Sequence, residues 1–272
     1  MEEPDKQRLS LWQESSGSKA RTPVSAETLF GFHCHPGLAC FNRCCREATL
    51  ILSPYDILRL SRRLNLSTGE FLRRHTRREA EAGSGLPLVL AKPARTGGCP
   101  FLGETGCTVY ADRPAACRLF PLTQGSELTS EGVVDHLFLR RLDYCQGFAG
   151  EPEWTVAGWE ADQGFAEFDR PRRPWLRLLL QQVQPGRTPL DDRILSQFYL
   201  MAYDLEAFRT FLLESAFLQV HDLTLEEARP LETDDLDLLR MSAAYLAQLL
   251  FPDEAEPLQE ALKTALTKAG LE

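Results

Sequence analysis

All eight cysteines of this 272-residue chain lie between positions 34 and 145, at Cys34, Cys40, Cys44, Cys45, Cys99, Cys107, Cys117 and Cys145, and none follows. That confinement constrains the fold more than any other feature, because thiols from segments far apart in sequence are expected to be gathered in one place. Eight in 272 is well short of the roughly 8–10% cysteine of a small disulfide scaffold. The acidic start Met1-Glu2-Glu3-Pro4-Asp5-Lys6 has no apolar core of a signal peptide behind it. A cytoplasmic location is therefore expected, and in a reducing compartment a confined group of thiols is expected to bind metal. No apolar run approaches the roughly 18–20 residues that span a bilayer, so no membrane association is expected.

Charge divides the chain near the same place. Residues 1–150 carry a balance of +3, residues 151–272 a balance of −12, and the whole chain −9. An acidic second half argues against non-specific nucleic-acid binding. Arginines do cluster within positions 59–78, at Arg59, Arg62, Arg63, Arg73, Arg74, Arg77 and Arg78. A solvated helix face is the plain reading of that cluster; it and the acidic half are also the two surfaces expected to serve a protein partner.

The pattern reads as α+β, predominantly α-helical, with a polar lead-in over residues 1–26. A cysteine-rich module with a small hairpin or sheet would follow over 27–150, and an acidic helical module over 151–272. Ser53-Pro54 is a helix start, with Ile57, Leu58, Leu60 and Leu64 inward. Ser67 with Glu70, and Thr224 with Glu227, have capping-box spacing. Ala82 to Gly85 reads as a loop. Strands are predicted at Leu86–Ala91, Cys107–Tyr110 and Val133–Leu139. A long amphipathic stretch runs from about Thr188 to Phe217, and helices are predicted at 234–250 and 257–269. Trp154, Trp159 and Trp175 are expected on helical, core-facing positions.

The first four thiols are spaced Cys-x5-Cys-x3-Cys-Cys. If residues 40–47 are helical, Cys40 and Cys44 share one face, and Cys45 lies about 100° further round. That geometry predicts a polynuclear centre, two nearby sites, or one thiol of the pair left buried. Small buried hydrophobes would account for one such cysteine but not for four in twelve residues. Glycines flank Cys99 and Cys107 and permit positive-φ backbone, so that amides can approach a thiolate. Pro114 suits a first helical turn, placing Cys117 near its start beside Arg118. All eight cysteines are candidate metal ligands. His33 and His35 bracket Cys34 as weaker nitrogen candidates, and Arg113 and Arg118 could offset anionic charge or simply form helix-end ion pairs.

In order along the chain stand Phe-x-Cys…Cys-Cys, Ser-Pro-x-Asp-Ile, Gly-Cys-Pro-Phe-Leu…Gly-Cys-Thr-Val-Tyr and Arg-Pro-x-x-Cys-Arg-x-Phe-Pro, the last being Arg113 to Pro121. Over roughly residues 30–148 this resembles the YkgJ-like cysteine-cluster family, described as zinc- or iron-chelating domains. The family's usual opening is a tighter Cys-x-x-Cys-x-x-Cys-Cys. The resemblance implies metal binding and no settled reaction. A related group, the flagellin lysine methylases, carries a similar cluster associated with an iron–sulfur centre.

Four-thiolate sites suit zinc and iron–sulfur clusters alike. Zinc ribbons usually present two short Cys-x2-4-Cys knuckles, which this sequence lacks. Irregular gaps and glycine-rich flanks favour an iron–sulfur cluster as cofactor, with zinc the alternative. Three functions remain open: an iron–sulfur protein for redox, sensing or catalysis, a protein-modifying transferase like the lysine methylases, and a structural zinc module. No dinucleotide-binding glycine motif, phosphate loop or nucleophile elbow is present.

Overall fold

The computed structural model describes residues 21–81, 84–95, 97–258 and 260. Along the chain the elements are β1 (Arg21–Val24), β2 (Leu29–Gly31), α1 (Arg43–Arg46), β3 (Ile51–Leu52), α2 (Pro54–Arg63), α3 (Thr68–His75), β4 (Thr76–Ala80) and β5 (Pro87–Ala91). There follow α4 (Ala115–Leu119), β6 (Leu122–Thr129), β7 (Gly132–Arg140), β8 (Glu153–Thr155), α5 (Val156–Asp162) and α6 (Phe165–Gln182). The described part closes with α7 (Asp192–Tyr203), α8 (Leu205–Glu214), α9 (Phe217–Val220), α10 (Leu225–Ala228) and α11 (Asp235–Leu250). The fold is α+β with helix predominating. These elements divide between two units, each built from separated segments. One takes the residues up to Leu50, Pro93–Thr108 and Ala115–Ala166; the other takes Ile51–Lys92, Val109–Pro114 and residues from Glu167 onward.

The first unit holds every cysteine. Its sheet runs β1-β7-β6, all antiparallel, with Leu122 opposite Leu139 and Thr129 opposite Gly132 at the hairpin turn. β7 is the strand expected at Val133–Leu139. β1 falls inside the stretch read as a polar lead-in, and residues 1–20 of that lead lie outside the described residues. A second ladder pairs β2 with β8. Trp154 sits on β8 and not on a helix as expected; its indole donates to the Phe32 carbonyl at 3.0 Å. The strand predicted at Cys107–Tyr110 is replaced by a single bridge between Leu102 and Cys107, then a 3₁₀ turn over Tyr110–Asp112. Glycine makes the difference: Gly103 donates to the Gly106 carbonyl at 2.9 Å, closing the chain into a turn too tight for a ladder.

Aromatic packing sets the core of this unit. The buried Phe32 ring meets Phe148 at 5.1 Å, Trp159 at 5.5 Å and Phe120 at 5.8 Å between centroids. Trp159 also meets Phe30 and Trp154 edge-on, and its indole donates to the Leu119 carbonyl at 3.1 Å. Each ring thereby keeps edge-to-face contact, and the two indole N–H groups stay satisfied. Gly147 lies against Phe32 so closely that a Cβ there would stand 2.7 Å from the ring.

The second unit carries a β3-β5-β4 antiparallel sheet and most of the helices. β5 is the strand expected at Leu86–Ala91. Ser53 caps α2 through a full box with Asp56, and the hydroxyl of Ser67 accepts from the Glu70 amide at 3.1 Å to cap α3. Ile57, Leu58, Leu60, Phe71 and Leu72 are buried as the pattern required. Thr224 and Glu227 form the second capping box at α10. The long amphipathic stretch is broken into α7, α8 and α9. Asp204 ends α7 and its carboxylate accepts from the Ala207 amide at 3.2 Å to start α8, the local bond that makes aspartate a cap residue. Phe198, Met201, Leu205, Phe208, Leu212 and Phe217 are nonetheless all buried. The helix expected at 234–250 is α11; that expected at 257–269 falls almost entirely outside the described residues, as do Ala82 and Gly83 of the expected loop. Within this unit Arg59 pairs with Asp112 at 2.7 Å, Arg62 with Asp235, Arg74 with Glu70 and Arg77 with Glu79. No helix among the described residues is long and apolar enough to cross a membrane.

The Phe32–Gly147 contact gives a direct stability test. Gly147→Ala should cost on the order of 1–3 kcal/mol in chemical denaturation, the usual penalty of overpacking a filled core. Gly150→Ala, whose Cβ would meet nothing within 4 Å, should leave the midpoint unchanged or slightly raised. Equal midpoints for wild type and Gly147→Ala would show that this contact does not constrain the unit.

Candidate metal centre

Three backbone arrangements bring distant cysteines to one another. The first is α1 and the turn before it. Asn42 adopts a left-handed conformation (φ 63°), which stops the helix from extending back to Cys40. The helix is therefore shorter than the 40–47 expected, and only Cys44 and Cys45 lie on it. Cys40 sits in the preceding turn, its carbonyl accepting from the Arg43 amide at 2.9 Å.

The second arrangement is the 97–107 loop. Gly98 has φ 72°, and a Cβ there would lie 2.3 Å from the Arg46 carbonyl oxygen. Only a residue with no side chain lets this backbone lie against the end of α1. The approach allows the Cys99 amide to donate to the Cys45 carbonyl at 2.8 Å. Gly97 and Gly106 also take positive φ, as the sequence implied. Amides of Phe101 and Leu102 point at the Cys99 sulfur and favour its thiolate, while burial, the stronger influence, pushes that thiol up. The bridge between Leu102 and Cys107 folds Cys107 back beside Cys99, where its charge pushes the Cys99 thiol up further.

The third arrangement is the turn at 145–147. The Gln146 amide donates to the Cys40 sulfur at 3.2 Å, and the His33 amide donates to the Gly147 carbonyl at 2.8 Å. Cys34 and Cys40 are thus drawn to Cys145, the thiol that stood alone in the sequence. Cys117 lies on α4, as Pro114 suggested, and its charge acts on Cys45.

All eight residues are free thiols; Cys34 is exposed and the other seven are half-buried. Burial pushes Cys34 up to about 11, with added repulsion from Cys44, Cys145 and Cys40. Cys145 is pushed up by burial, then by Cys40 and Cys44, against the pull of the Gly147 amide. Cys45 is pushed up by donating its thiol proton to Cys44, then by burial and by the charges of Cys44, Cys117 and Cys99. Cys44 is the exception. The Cys45 thiol donates to it, two α1 amides and the Arg140 guanidinium support its charge, and it is lowered to about 7. Among the described residues no three His, Cys, Asp or Glu side chains already stand in metal-holding geometry. What the structure brings together is therefore a set of neighbouring thiols rather than a closed cage.

The other candidates are placed less centrally. His33 is exposed; the His35 Nδ1 accepts from the Gly37 amide at 3.2 Å, and the two rings lie 4.8 Å apart. Arg118 is buried and donates to the Gln163 carbonyl at 2.8 Å, whereas Arg113 folds over its own neighbour Tyr110. Arg140, which sequence reading missed, is the guanidinium that acts on Cys44. Its only signal was a basic pair, Arg140-Arg141, at the end of a predicted strand. Arg43 stacks over Tyr144 at 4.1 Å and reaches Glu47 at 3.2 Å, a further tie between α1 and the 145 turn.

A donor set made of thiols, gathered by glycine turns and met by backbone amides, has the chemistry that zinc or iron chelation calls for. Residues 33–146, somewhat less than half the chain, match the CxxCxxCC family model, whose description reads "Putative zinc- or iron-chelating domain". The resemblance read from the motifs therefore holds over that segment. No curated protein and no solved structure matches the chain.

The electrostatics order the thiols by reactivity, because the thiolate is the nucleophile. In the reduced, metal-free protein Cys44 should be alkylated by iodoacetamide ahead of Cys34, its rate rising through about pH 7 while that of Cys34 is still climbing near pH 11. Cys44 has the depressed value, so acidification should silence it last, by protonating its sulfur below about pH 7, where Cys34 is already protonated. Peptide mass spectrometry of a pH series reads the order directly; Cys34 labelling first would contradict it.

Proposed function

We propose that this chain is an iron–sulfur protein whose cysteine unit holds a redox-active centre for electron transfer or sensing. The observation that carries the reading is the aiming of backbone amides at sulfur. Gln146 donates to Cys40 at 3.2 Å, Phe101 and Leu102 face Cys99, and Gly147 faces Cys145. Amide hydrogen bonds to the ligating sulfurs offset anionic charge and are one of the levers that set the potential of such a cluster. Irregular gaps between the thiols add to this, since a cluster with several iron atoms tolerates ligands from unlike segments better than two short zinc knuckles do.

A bound cluster would supply a one-electron centre. The chain's own contribution is to present thiolates from three segments, to shield them with the Phe32 aromatic core, and to place the Arg140 guanidinium beside Cys44. None of these steps needs an open coordination position, which distinguishes the reading from a hydrolytic zinc centre.

The full chain purified without oxygen should be brown and contain iron and acid-labile sulfide in comparable amounts, and dithionite should bleach its visible absorption. Colourless protein with stoichiometric zinc and no sulfide would replace the reading by that of a structural zinc module, for which chelation should unfold the first unit with no redox signal lost.

A further inference from the structure

We propose that the outer edge of β4 is a docking site for an acidic peptide in extended conformation, which joins the β3-β5-β4 sheet as a further strand. All residues of this edge belong to the second unit, and none is a candidate metal ligand.

β4 stands at the end of its sheet, and among the described residues β5 is its one strand neighbour. The Lys92 amide donates to the His75 carbonyl at 2.8 Å and the Glu81 amide to the Leu86 carbonyl at 2.9 Å. Bonded pairs of the antiparallel ladder fall on every second residue between these two. Arg77 opposite Leu90 and Glu79 opposite Leu88 therefore turn their backbone groups toward β5. Arg78 and Ala80, opposite Val89 and Pro87, turn theirs outward, and both residues are exposed. Pro87, which has no amide to give, sits where the ladder asks for none. An extended chain laid along β4 meets these amides and carbonyls in the manner by which sheet edges take up peptides.

Charge selects the occupant. Residues 73–80 hold Arg73, Arg74, Arg77 and Arg78 against the single acid Glu79, in a chain whose net charge is −9. Lys92 joins them, its ammonium donating to the Arg73 carbonyl at 2.6 Å. Arg74 is paired with Glu70 and Arg77 with Glu79. The Arg78 guanidinium lies 4.4 Å over the Tyr199 ring, a seat that holds the cation without neutralising it. Successive side chains of a strand point to opposite faces, so Arg77 and Arg78 put a cation on each face of the edge. Charged residues on an edge strand often serve only to keep sheets from pairing. Here the excess is of one sign. A second copy would bring the same excess of arginine to the edge, whereas an acidic strand meets it with opposite charge across the pair.

Fluorescence anisotropy on the purified full chain tests this, with a short labelled peptide of alternating glutamate and valine as probe. The peptide should bind at low salt and weaken as salt is added. The double variant Arg77→Gln/Arg78→Gln should weaken it about tenfold. Ala80→Pro, which removes an outward amide and no bond to β5, should also weaken it. The same peptide with every amide N-methylated keeps its charge but cannot donate to the edge, and should not bind. Amide exchange on adding the parent peptide should slow at Arg78 and Ala80 and stay as it was at Arg77 and Glu79. Equal binding of the two peptides would show attraction to basic residues alone and overturn the docking site, as would no binding of either. An oligonucleotide of the same charge that binds where the peptide does not would assign the surface to nucleic acid instead. If a variant fails to fold, the two peptides compared on the wild-type chain decide by themselves.

Discussion

The burial of the Phe32 ring underlies the whole cysteine unit. That one side chain touches Phe120, Phe148 and Trp159, while Gly147 lies flat against it. Phe32 stands two residues before Cys34, and Gly147 two residues after Cys145. Fixing the ring therefore fixes the two ends of a stretch of more than a hundred residues at one place. Burying an aromatic side chain of this size is worth several kcal/mol. The entropy of closing so long a loop grows only with the logarithm of its length, so a single well-packed anchor offsets much of it. Hydrogen bonds then refine the placement: Trp154 to Phe32, His33 to Gly147, Gln146 to Cys40.

The second constraint is the shortness of α1. A longer helix would have put Cys40 and Cys44 on one face and turned Cys45 away. Asn42 in the left-handed region removes that option and leaves Cys40 free to join the 145 turn. Cys44 and Cys45 then stand as neighbours with opposite tendencies, one sulfur accepting and the other donating. That polarity makes Cys44 the natural first thiolate of the group, because Arg140 and two amides already offset its charge before any metal arrives.

Much of this was legible in the sequence, for identifiable reasons. Ser53-Pro54, Ser67 and Thr224 announced their helices because capping is a local interaction between residues three apart. The glycines beside Cys99 and Cys107 signalled positive φ, since few other residues tolerate it. What escaped was non-local. Nothing in Tyr144-Cys145-Gln146 marks it as the partner of Cys40, because that relation is made through the aromatic core. Arg140 likewise gains its role from where β7 ends, not from its neighbours in sequence. Trp154 was read as helical because its surroundings are, and only its pairing with Phe30 in the β2–β8 ladder makes it a strand residue. The stretch from Thr188 to Phe217 kept its helical period across two breaks, so periodicity predicted the buried face but not the ends of the helices.

The thiol electrostatics also explain why this unit suits a metal rather than a set of structural thiols. Burial raises Cys34, Cys45, Cys99 and Cys145, and each neighbouring sulfur raises them further. Left alone, such a group keeps its protons and gains nothing from proximity. A cation placed among the sulfurs reverses every one of these contributions, because the same closeness that penalises several thiolates rewards their shared attraction to one positive centre. Loading must then release protons from the raised thiols, so the unit's affinity for metal climbs with pH through the range in which they would otherwise stay protonated. Cys44, already near its ionisation at neutral pH, is the group through which that exchange begins at the lowest cost.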